Sequence, residues 1–230
     1  MVFTPEVIWE TFLMVLTAVP RTLLLAVVIL FFGIILGLLI AILKRKQLPG
    51  LTTVLNIFIS YMRGVPLIIH LLILQGLLPE AGASLLSIFG ITTDPNNFPS
   101  VLIVLITYIA LDTAIEAQNI YGAFQSIDYR QIEAGYSIGF TRKQKYQRII
   151  IPQLIATVTP LFLNSFLKMI KALSLAFTVG VVDIVATARY AAALNYRYFE
   201  SYIAAALVYW LLCGILQFIF SKIEKRMQFN

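Results

Sequence analysis

Five ionisable side chains lie in stretches of this 230-residue sequence that are otherwise apolar. They are Arg63, Asp112, Glu116, Lys168 and Lys171. Asp112 and Glu116 are four residues apart, so on a helix they share one face, with Asn119 about one turn further along. Two carboxylates at this spacing repel each other unless a cation lies nearby. Arg63 and Lys168 are the candidate cations.

Two interpretations of these charges remain open, and they can coexist. The first is a buried ion network that joins neighbouring helices. The second is a pathway for a zwitterion, whose ammonium group needs a carboxylate and whose carboxylate needs a cation. Ionisable groups are costly in an apolar environment, which favours a functional role. We expect this pathway to be lined by five residues: Arg63, Asp112, Glu116, Asn119 and Lys168.

The composition places these side chains in a membrane protein. Hydrophobic residues make up 60% of the chain and charged residues 12%. Soluble domains carry about a quarter charged residues. A soluble fold of this chain could not hide so much apolar surface from water. A chain with one histidine and one cysteine cannot build a His/Cys metal site of its own. We therefore expect no metal and no cofactor.

Apolar blocks of about 20 residues are long enough to cross a bilayer as helices. The sequence has five, at about residues 22–43, 54–78, 99–121, 153–175 and 201–221. They predict an all-α integral membrane protein with one transmembrane domain over residues 1–230. The segment 7–19 is too short to count as a span. The segment 173–188 either extends the fourth span or dips back separately, and Asp183 argues against a sixth crossing.

The distribution of Lys and Arg predicts the orientation of these spans. Three segments, 44–53, 125–150 and 222–230, hold eleven Lys and Arg residues, against three in the segments on the other side. Basic residues concentrate in cytoplasmic loops. We therefore expect the N-terminus outside and the C-terminus inside. This bias also accounts for the net charge of +6, so we expect no nucleic-acid partner.

The cytoplasmic loop at about 125–150 has the signals of two short helices. Asp128 with Gln131 and Thr141 with Gln144 each resemble a capping box at a helix start. Gly139 suits the left-handed conformation after a helix end, and Pro152 ends or kinks the second helix. Such helices could dock into a groove on a partner. Alternatively, the loop is solvated and its charges only fix the topology.

The spacing in this loop resembles a known motif. Glu133-Ala134-Gly135, three residues, Gly139, nine residues and then Ile149-x-Ile-Pro152 resembles the EAA motif of importer-type ABC transporter permeases. The third position carries Gly135 in place of Ala, and Ile151 replaces Leu. The segments 61–67, 122–127, 171–175 and 179–181 resemble further stretches of the polar amino acid permease subfamily. The resemblance covers the chain from about residue 55 to its end.

The resemblance implies a type I ABC importer-like permease in a bacterial inner membrane. In that family the EAA segment holds a coupling helix that sits in a cleft of the ATP-binding subunit. Carried over, this contact falls to Glu133, Ala134, Gly135 and Gly139. The 230 residues contain no phosphate-binding G-x-x-x-x-G-K-[ST] sequence. We therefore expect a transport subunit that is not itself an enzyme, with ATP hydrolysis on a partner chain.

The implied partners are the ATP-binding subunit, a second permease copy or paralogue, and an extracytoplasmic solute-binding protein. The cargo is expected to be a polar amino acid. The subfamily's Lys-Asp-Thr-Ser-Leu is replaced here by Lys171-Ala172-Leu173-Ser174-Leu175. The missing Asp favours a neutral or sulfur-containing cargo such as glutamine or cystine. The alternative is a proton-coupled secondary amino acid transporter, which usually shows internal topology repeats that five spans do not provide.

Overall fold

The computed structural model of the chain describes residues 4–228, with side chains up to residue 225. The side chain of Arg226, which was counted among the basic residues of the last segment, lies outside the described residues. All regular elements in the described part are helical, which confirms the expected all-α class. Its α-helices are α1 (Pro5–Leu16), α2 (Val19–Arg45), α3 (Leu51–Gly64), α4 (Leu67–Ile88), α5 (Ser100–Gln125), α6 (Tyr129–Ser137), α7 (Arg142–Lys145), α8 (Ile151–Ala172), α9 (Ile184–Asn195) and α10 (Tyr198–Gln228).

Five helical stretches in the described residues are long and apolar enough to cross a membrane, the number expected from the apolar blocks. Three of them are α2, α4 and α5. The fourth, Arg142–Val179, combines α7, a π-helical turn (Tyr146–Ile150), α8 and a 3-10 segment (Leu173–Val179). The fifth is Tyr198–Lys225 in α10. Helix α1 is separate from α2 and has only 12 residues.

The second apolar block was expected as a span at about 54–78 with a break at Arg63-Gly64-Val65-Pro66, and it is divided there into α3 and α4. Val65 between them is extended, with φ −97° and ψ 135°. A residue before proline is disfavoured in the α conformation, and Pro66 has no N–H to donate. The helix therefore ends at Gly64 and restarts at Leu67. The stretch that can span the membrane is α4, shifted toward the C-terminus of the expected block.

Helices α2 and α5 pack closely through two glycines of α2. A Cβ atom placed on Gly37 would lie 2.8 Å from the backbone nitrogen of Ala117. One placed on Gly33 would lie 2.8 Å from Cγ of Asp112. Gly33 and Gly37 form the small-xxx-small pattern that brings membrane helices together. Together with Ile29 and Ala41 they form the buried stripe of a helix whose other faces are mostly exposed and apolar.

The segment 173–188 forms two elements instead of a sixth span. The 3-10 segment Leu173–Val179 packs into the main core, and Gly180 ends it with φ +86°. Asp183 then caps α9, because its Oδ1 accepts the backbone N–H of Ala186 at 2.8 Å. Helix α9 packs with α1 and α10 in a second apolar cluster. The polar Asp183 is thus a capping residue.

Candidate functional site

A polar cavity of about 550 Å³ lies between the end of α3, the middle of α5 and α8. Four of the five residues expected on a pathway line it: Arg63, Asp112, Asn119 and Lys168. Arg63 lines the cavity from the last turn of α3, one residue before the helix ends at Gly64. Helix α5 presents Asp112 and Asn119 seven residues apart, which is two helical turns. The cavity is therefore lined by both acidic and basic residues from three helices.

The fifth expected residue, Glu116, lies behind this wall and not on it. Its side chain is fully buried, and Oε2 accepts a hydrogen bond from Asn119 Nδ2 at 3.0 Å. Its Oε1 has no hydrogen-bond partner. Asp112 is 1% exposed, and neither of its carboxylate oxygens has a partner. Unsatisfied buried carboxylate oxygens are rare in folded proteins. Those of Asp112 lie against Gly33 of α2.

The direct ion network expected as one interpretation is not formed in the described residues. No Lys or Arg nitrogen there lies within 4.0 Å of an oxygen of Asp112 or Glu116. The ion pair within this limit in the same part of the chain is Arg197 with Glu200, at 3.6 Å. Arg63 and Lys168 lie around the cavity and do not close on the carboxylates. The fifth ionisable residue of the apolar stretches, Lys171, is exposed and does not line the cavity.

Three further polar residues line the cavity and were missed at the level of sequence: Tyr108, Asn164 and Ser165. Helical spacing could have found them. Tyr108 is one turn before Asp112, and Asn164 and Ser165 are one turn before Lys168. The hydroxyl of Tyr108 donates to the carbonyl of Ala172 at 2.7 Å, which closes one end of the cavity wall. Ala172 itself also lines the cavity.

Helix α6 contains the EAA-like segment and ends in a Schellman motif. Gly139 has φ +81°. The N–H of Phe140 donates to the carbonyl of Gly135 at 2.9 Å, and the N–H of Gly139 donates to that of Tyr136 at 3.0 Å. This pair of bonds satisfies carbonyls at the helix end, and it needs the left-handed residue that glycine provides. The expected helix end at Gly139 is therefore confirmed.

The same motif explains the glycine at the third position of the EAA-like segment. Phe140 folds back over Gly135, so that a Cβ on Gly135 would lie 3.4 Å from Phe140 Cδ2 and 3.0 Å from Ile149 Cδ1. Gly135 is buried, whereas Glu133 and Ala134 on the same helix are exposed. The four expected docking residues thus divide into two that face outward and two that shape the helix.

Side chains join α6 to α7 and α8. Thr141 and Gln144 form the expected capping box at the start of α7, with bonds of 2.8 and 3.3 Å. Asp128 caps α6 by accepting the N–H of Arg130, but Gln131 does not complete a box. Its Oε1 instead accepts a hydrogen bond from Gln153 of α8 at 2.5 Å.

Another side-chain hydrogen bond joins α6 to α7, in which Lys145 Nζ donates to the Tyr136 hydroxyl. The regular α pattern is interrupted by the π-helical turn just before Pro152 and then continues through α8. Helix α6 is therefore connected to the helix that carries Lys168.

The outer surface of α6 and the residue after it is unusually apolar for a polar loop. Tyr129 is 66% exposed, Tyr136 52% and Ile138 72%. Exposed aromatic and aliphatic side chains grouped on one short helix are typical of an interaction surface. Glu133 lies among them and is also exposed.

The five spans, the polar cavity between them and the exposed loop helix define a multi-pass membrane permease. Residues 33–229 match the family described as "Binding-protein-dependent transport system inner membrane component". The chain belongs to this family of inner-membrane ABC transport subunits.

Relatives of known name are similar over nearly the whole chain. The probable amino-acid permease protein YxeN of Bacillus subtilis is 34% identical, over 93% of this chain and 94% of the relative. The L-cystine transport system permease protein TcyL of the same organism is 30% identical, over 95% and 90%. The probable amino-acid ABC transporter permease protein PatM of Vibrio harveyi is 36% identical, over 81% and 79%.

Solved structures are similar to the whole fold. A crystal structure described as an amino acid ABC transporter with histidines aligns with a TM-score of 0.82 at 26% identity, over 98% of this chain and 100% of that chain. An inward-facing MetNI methionine ABC transporter aligns with a TM-score of 0.69 at 18% identity, over 93% and 96%. The fold is thus that of the type I ABC importer permeases, as expected.

Proposed function

We propose that this chain is the permease subunit of an ATP-driven importer for a polar amino acid, and that the cavity between α3, α5 and α8 binds the cargo in transit. The observation that carries this proposal is the presence of acidic and basic residues on the wall of one cavity. Asp112 lines the cavity with its carboxylate packed against Gly33 of α2, and rotation of this side chain would turn its unpartnered oxygens toward an α-ammonium group. Arg63 and Lys168 offer cations for an α-carboxylate. The volume of about 550 Å³ lies within the range of roughly 300–1,000 Å³ for small-molecule sites.

The position of Ala172 on the cavity wall supports a neutral cargo. An Asp at this position would add a negative charge to the cavity. Alanine offers no counter-charge for a cationic side chain. Glutamine or a sulfur-containing amino acid such as cystine fits this wall better than arginine or lysine. The similarity to an L-cystine permease agrees with this preference.

Coupling to ATP is proposed to act through α6. The exposed residues Glu133 and Ala134 would enter a cleft of a separate ATP-binding subunit, and Gly135 and Gly139 would hold α6 in the shape that fits. Closure of the ATPase pair would move α6, and the bonds to Gln153 and Lys145 would pass this motion to α8. Rigid-body motion of α8 would then switch the cavity between outward and inward access.

The proposed assembly has two permease subunits, either two copies or a copy and a paralogue, with the pathway at their interface. A solute-binding protein would deliver cargo on the outer side. The topology proposed from the basic residues has the N-terminus outside and the C-terminus inside, with α6 and α7 in the cytoplasm. The 230 residues have no phosphate-binding loop, so ATP would bind on the partner subunit.

Uptake of labelled amino acids into vesicles containing the chain and its partner subunits tests the transport proposal. We expect uptake to require ATP, and Lys168→Met to reduce it strongly. Lys171→Met, one turn away and outside the cavity, is the matched control and should transport normally. Uptake driven by a proton gradient without ATP would instead favour the secondary transporter.

Capture of the ATP-binding subunit by the tagged permease tests the coupling proposal separately. Glu133→Lys should weaken capture while leaving membrane insertion intact. Glu80→Lys makes the same charge change at an exposed position on α4 and should not affect capture. Normal capture and uptake with Glu133→Lys would refute the role of α6.

A further inference from the structure

A second cavity, of about 580 Å³, lies at the end of α2 against α7 and α8, away from the proposed pathway. Its lining divides into two parts. Arg45, Lys46 and Arg142 provide three positive charges at one end. The remainder is apolar or aromatic: Leu38, Ile42, Phe124, Tyr146, Ile150, Ile151 and Leu154. Among the described residues, no acidic side chain lines the cavity.

The positive charges in this cavity are accessible and one of them is held in place. Arg45, Lys46 and Arg142 are all exposed. The Arg45 guanidinium stacks over the Phe124 ring, 4.4 Å from its centroid. This stacking orients the guanidinium without neutralising it. Arg45 and Phe124 also line an adjoining cavity of about 250 Å³, which reaches Lys145. In the described part of the chain, no acidic residue lines this cavity either.

The basic and apolar parts of the lining lie at different heights along α2. From Leu38 to Arg45, α2 rises about 10 Å. The apolar residues Leu38 and Ile42 therefore lie deeper in the bilayer than the cations at the helix end. Leu38 and Ile42 are about 40% exposed, so the groove is open to the hydrocarbon side. Tyr146 and Phe124 lie between the two parts, at the depth where aromatic residues prefer the interface.

We propose that this groove binds an anionic phospholipid of the inner leaflet, namely phosphatidylglycerol. The phosphate contacts Arg45, Lys46 and Arg142, and one acyl chain lies along Leu38, Ile42 and Leu154. Basic pockets between membrane helices on the cytoplasmic side bind anionic head groups in this way. The position in the inner leaflet rests on the proposed topology, but the site does not depend on which cargo is carried or whether α6 couples to ATP.

Lipid binding has a predicted consequence for the loop. Arg45 also lines the adjoining cavity, whose other walls include Tyr129, Ile132 and Tyr136 of α6. A phosphate bound to Arg45 therefore lies between the end of α2 and the loop that contains α6. We expect bound lipid to reduce amide hydrogen exchange in α7 and in the π-helical turn that follows it.

Native mass spectrometry of the purified chain in detergent, titrated with phosphatidylglycerol or phosphatidylcholine of the same acyl chains, tests the site. The chain should bind phosphatidylglycerol more tightly. Replacing Arg45, Lys46 and Arg142 together with Gln should weaken this binding at least about tenfold, since each basic residue near an anionic surface contributes severalfold. The matched control replaces Lys143, Lys222 and Lys225 with Gln, which removes the same charge elsewhere, and should bind normally.

Equal binding of both lipids, or equal loss in the control, would refute the site. If the triple variant misfolds, two other measurements test the site. One is lipid binding by the single variant Lys46→Gln, which changes an exposed helix end. The other is hydrogen exchange of the unmodified chain. Exchange in 142–150 should slow with phosphatidylglycerol and not with phosphatidylcholine. Release of bound phosphatidylglycerol when the ATP-binding subunit is added would assign the groove to that subunit instead.

Discussion

The close contact of α2 with α5 gives a prediction whose size can be worked out from distances. The change is Gly37→Ala. The new Cβ would lie 2.8 Å from the backbone nitrogen of Ala117 and 2.9 Å from Cβ of Glu116. Both atoms are fixed to the backbone of α5, so neither can rotate away. The two helices must therefore separate.

The expected loss follows from two opposing terms. Inserting one methyl group into a packed interior costs about 1–3 kcal/mol. Alanine in a helix interior is favoured over glycine by about 0.5–1 kcal/mol. Subtracting the second term from the first leaves a net loss of about 0–2.5 kcal/mol of unfolding free energy. Gly37→Leu should be worse, because the larger side chain has no space at this contact.

Thermal unfolding of the purified chain in detergent, followed by circular dichroism, measures this loss. Gly76→Ala in α4 and Gly214→Ala in α10 are matched controls, since among the described residues a Cβ at either position meets no atom of another element within 4 Å. Both controls should keep or raise the unfolding midpoint, and Gly37→Ala should lower it. A Gly37→Ala midpoint at or above that of Gly214→Ala would show that the close packing of α2 on α5 is not as described.

Three further changes give independent tests. Gly135→Ala should be tolerated at a cost of about 1 kcal/mol or less, because the nearest neighbour of the new Cβ is the end of the flexible Ile149 side chain. The larger Gly135→Val should weaken capture of the ATP-binding subunit. Equal capture by both variants would contradict the packing of α6. Thr141→Ala removes the capping box and should cost about 1 kcal/mol, seen as faster hydrogen exchange in α7; unchanged exchange would argue against the cap. Asp183→Asn keeps the acceptor for Ala186 but removes the charge. Burial raises the pKa of Asp183 above its usual value, despite the N–H donors of α9. Between the two pKa values the folded chain holds a proton that the unfolded chain releases. The free energy of unfolding should therefore fall as pH rises above about 3.8 toward the raised pKa. Thermal scans of Asp183→Asn should lack this part of the pH dependence.

The sequence was sufficient wherever the cause was local. The five spans follow from apolar length, and the ends of α6 and α7 follow from Gly139 and Thr141. Gln131 shows the limit of such patterns, since its side chain had a partner 22 residues away, Gln153, and not the nearby helix start. A capping pattern cannot exclude a competing contact that only the packing of α6 against α8 creates.

The position of the polar residues was only partly readable from the sequence. Helical periodicity grouped Asp112, Glu116 and Asn119 correctly on one face, but it could not say which of them reach a cavity. That depends on Gly33 and Gly37, which let α2 approach α5 and cover Glu116. The same packing left Arg63 and Lys168 beside the cavity and not in ion pairs with the carboxylates.

The sequence by itself therefore determined the class of protein, the number of spans, the caps of the loop helices and the resemblance that suggests their partner. Each of these depends on composition or on residues within a few positions of one another. Tertiary structure alone decided that α2 covers Glu116, that Gln131 pairs with Gln153, and that Arg45, Lys46 and Arg142 surround one groove. These features depend on how helices distant in the sequence pack together, and side-chain pattern within one helix does not determine that.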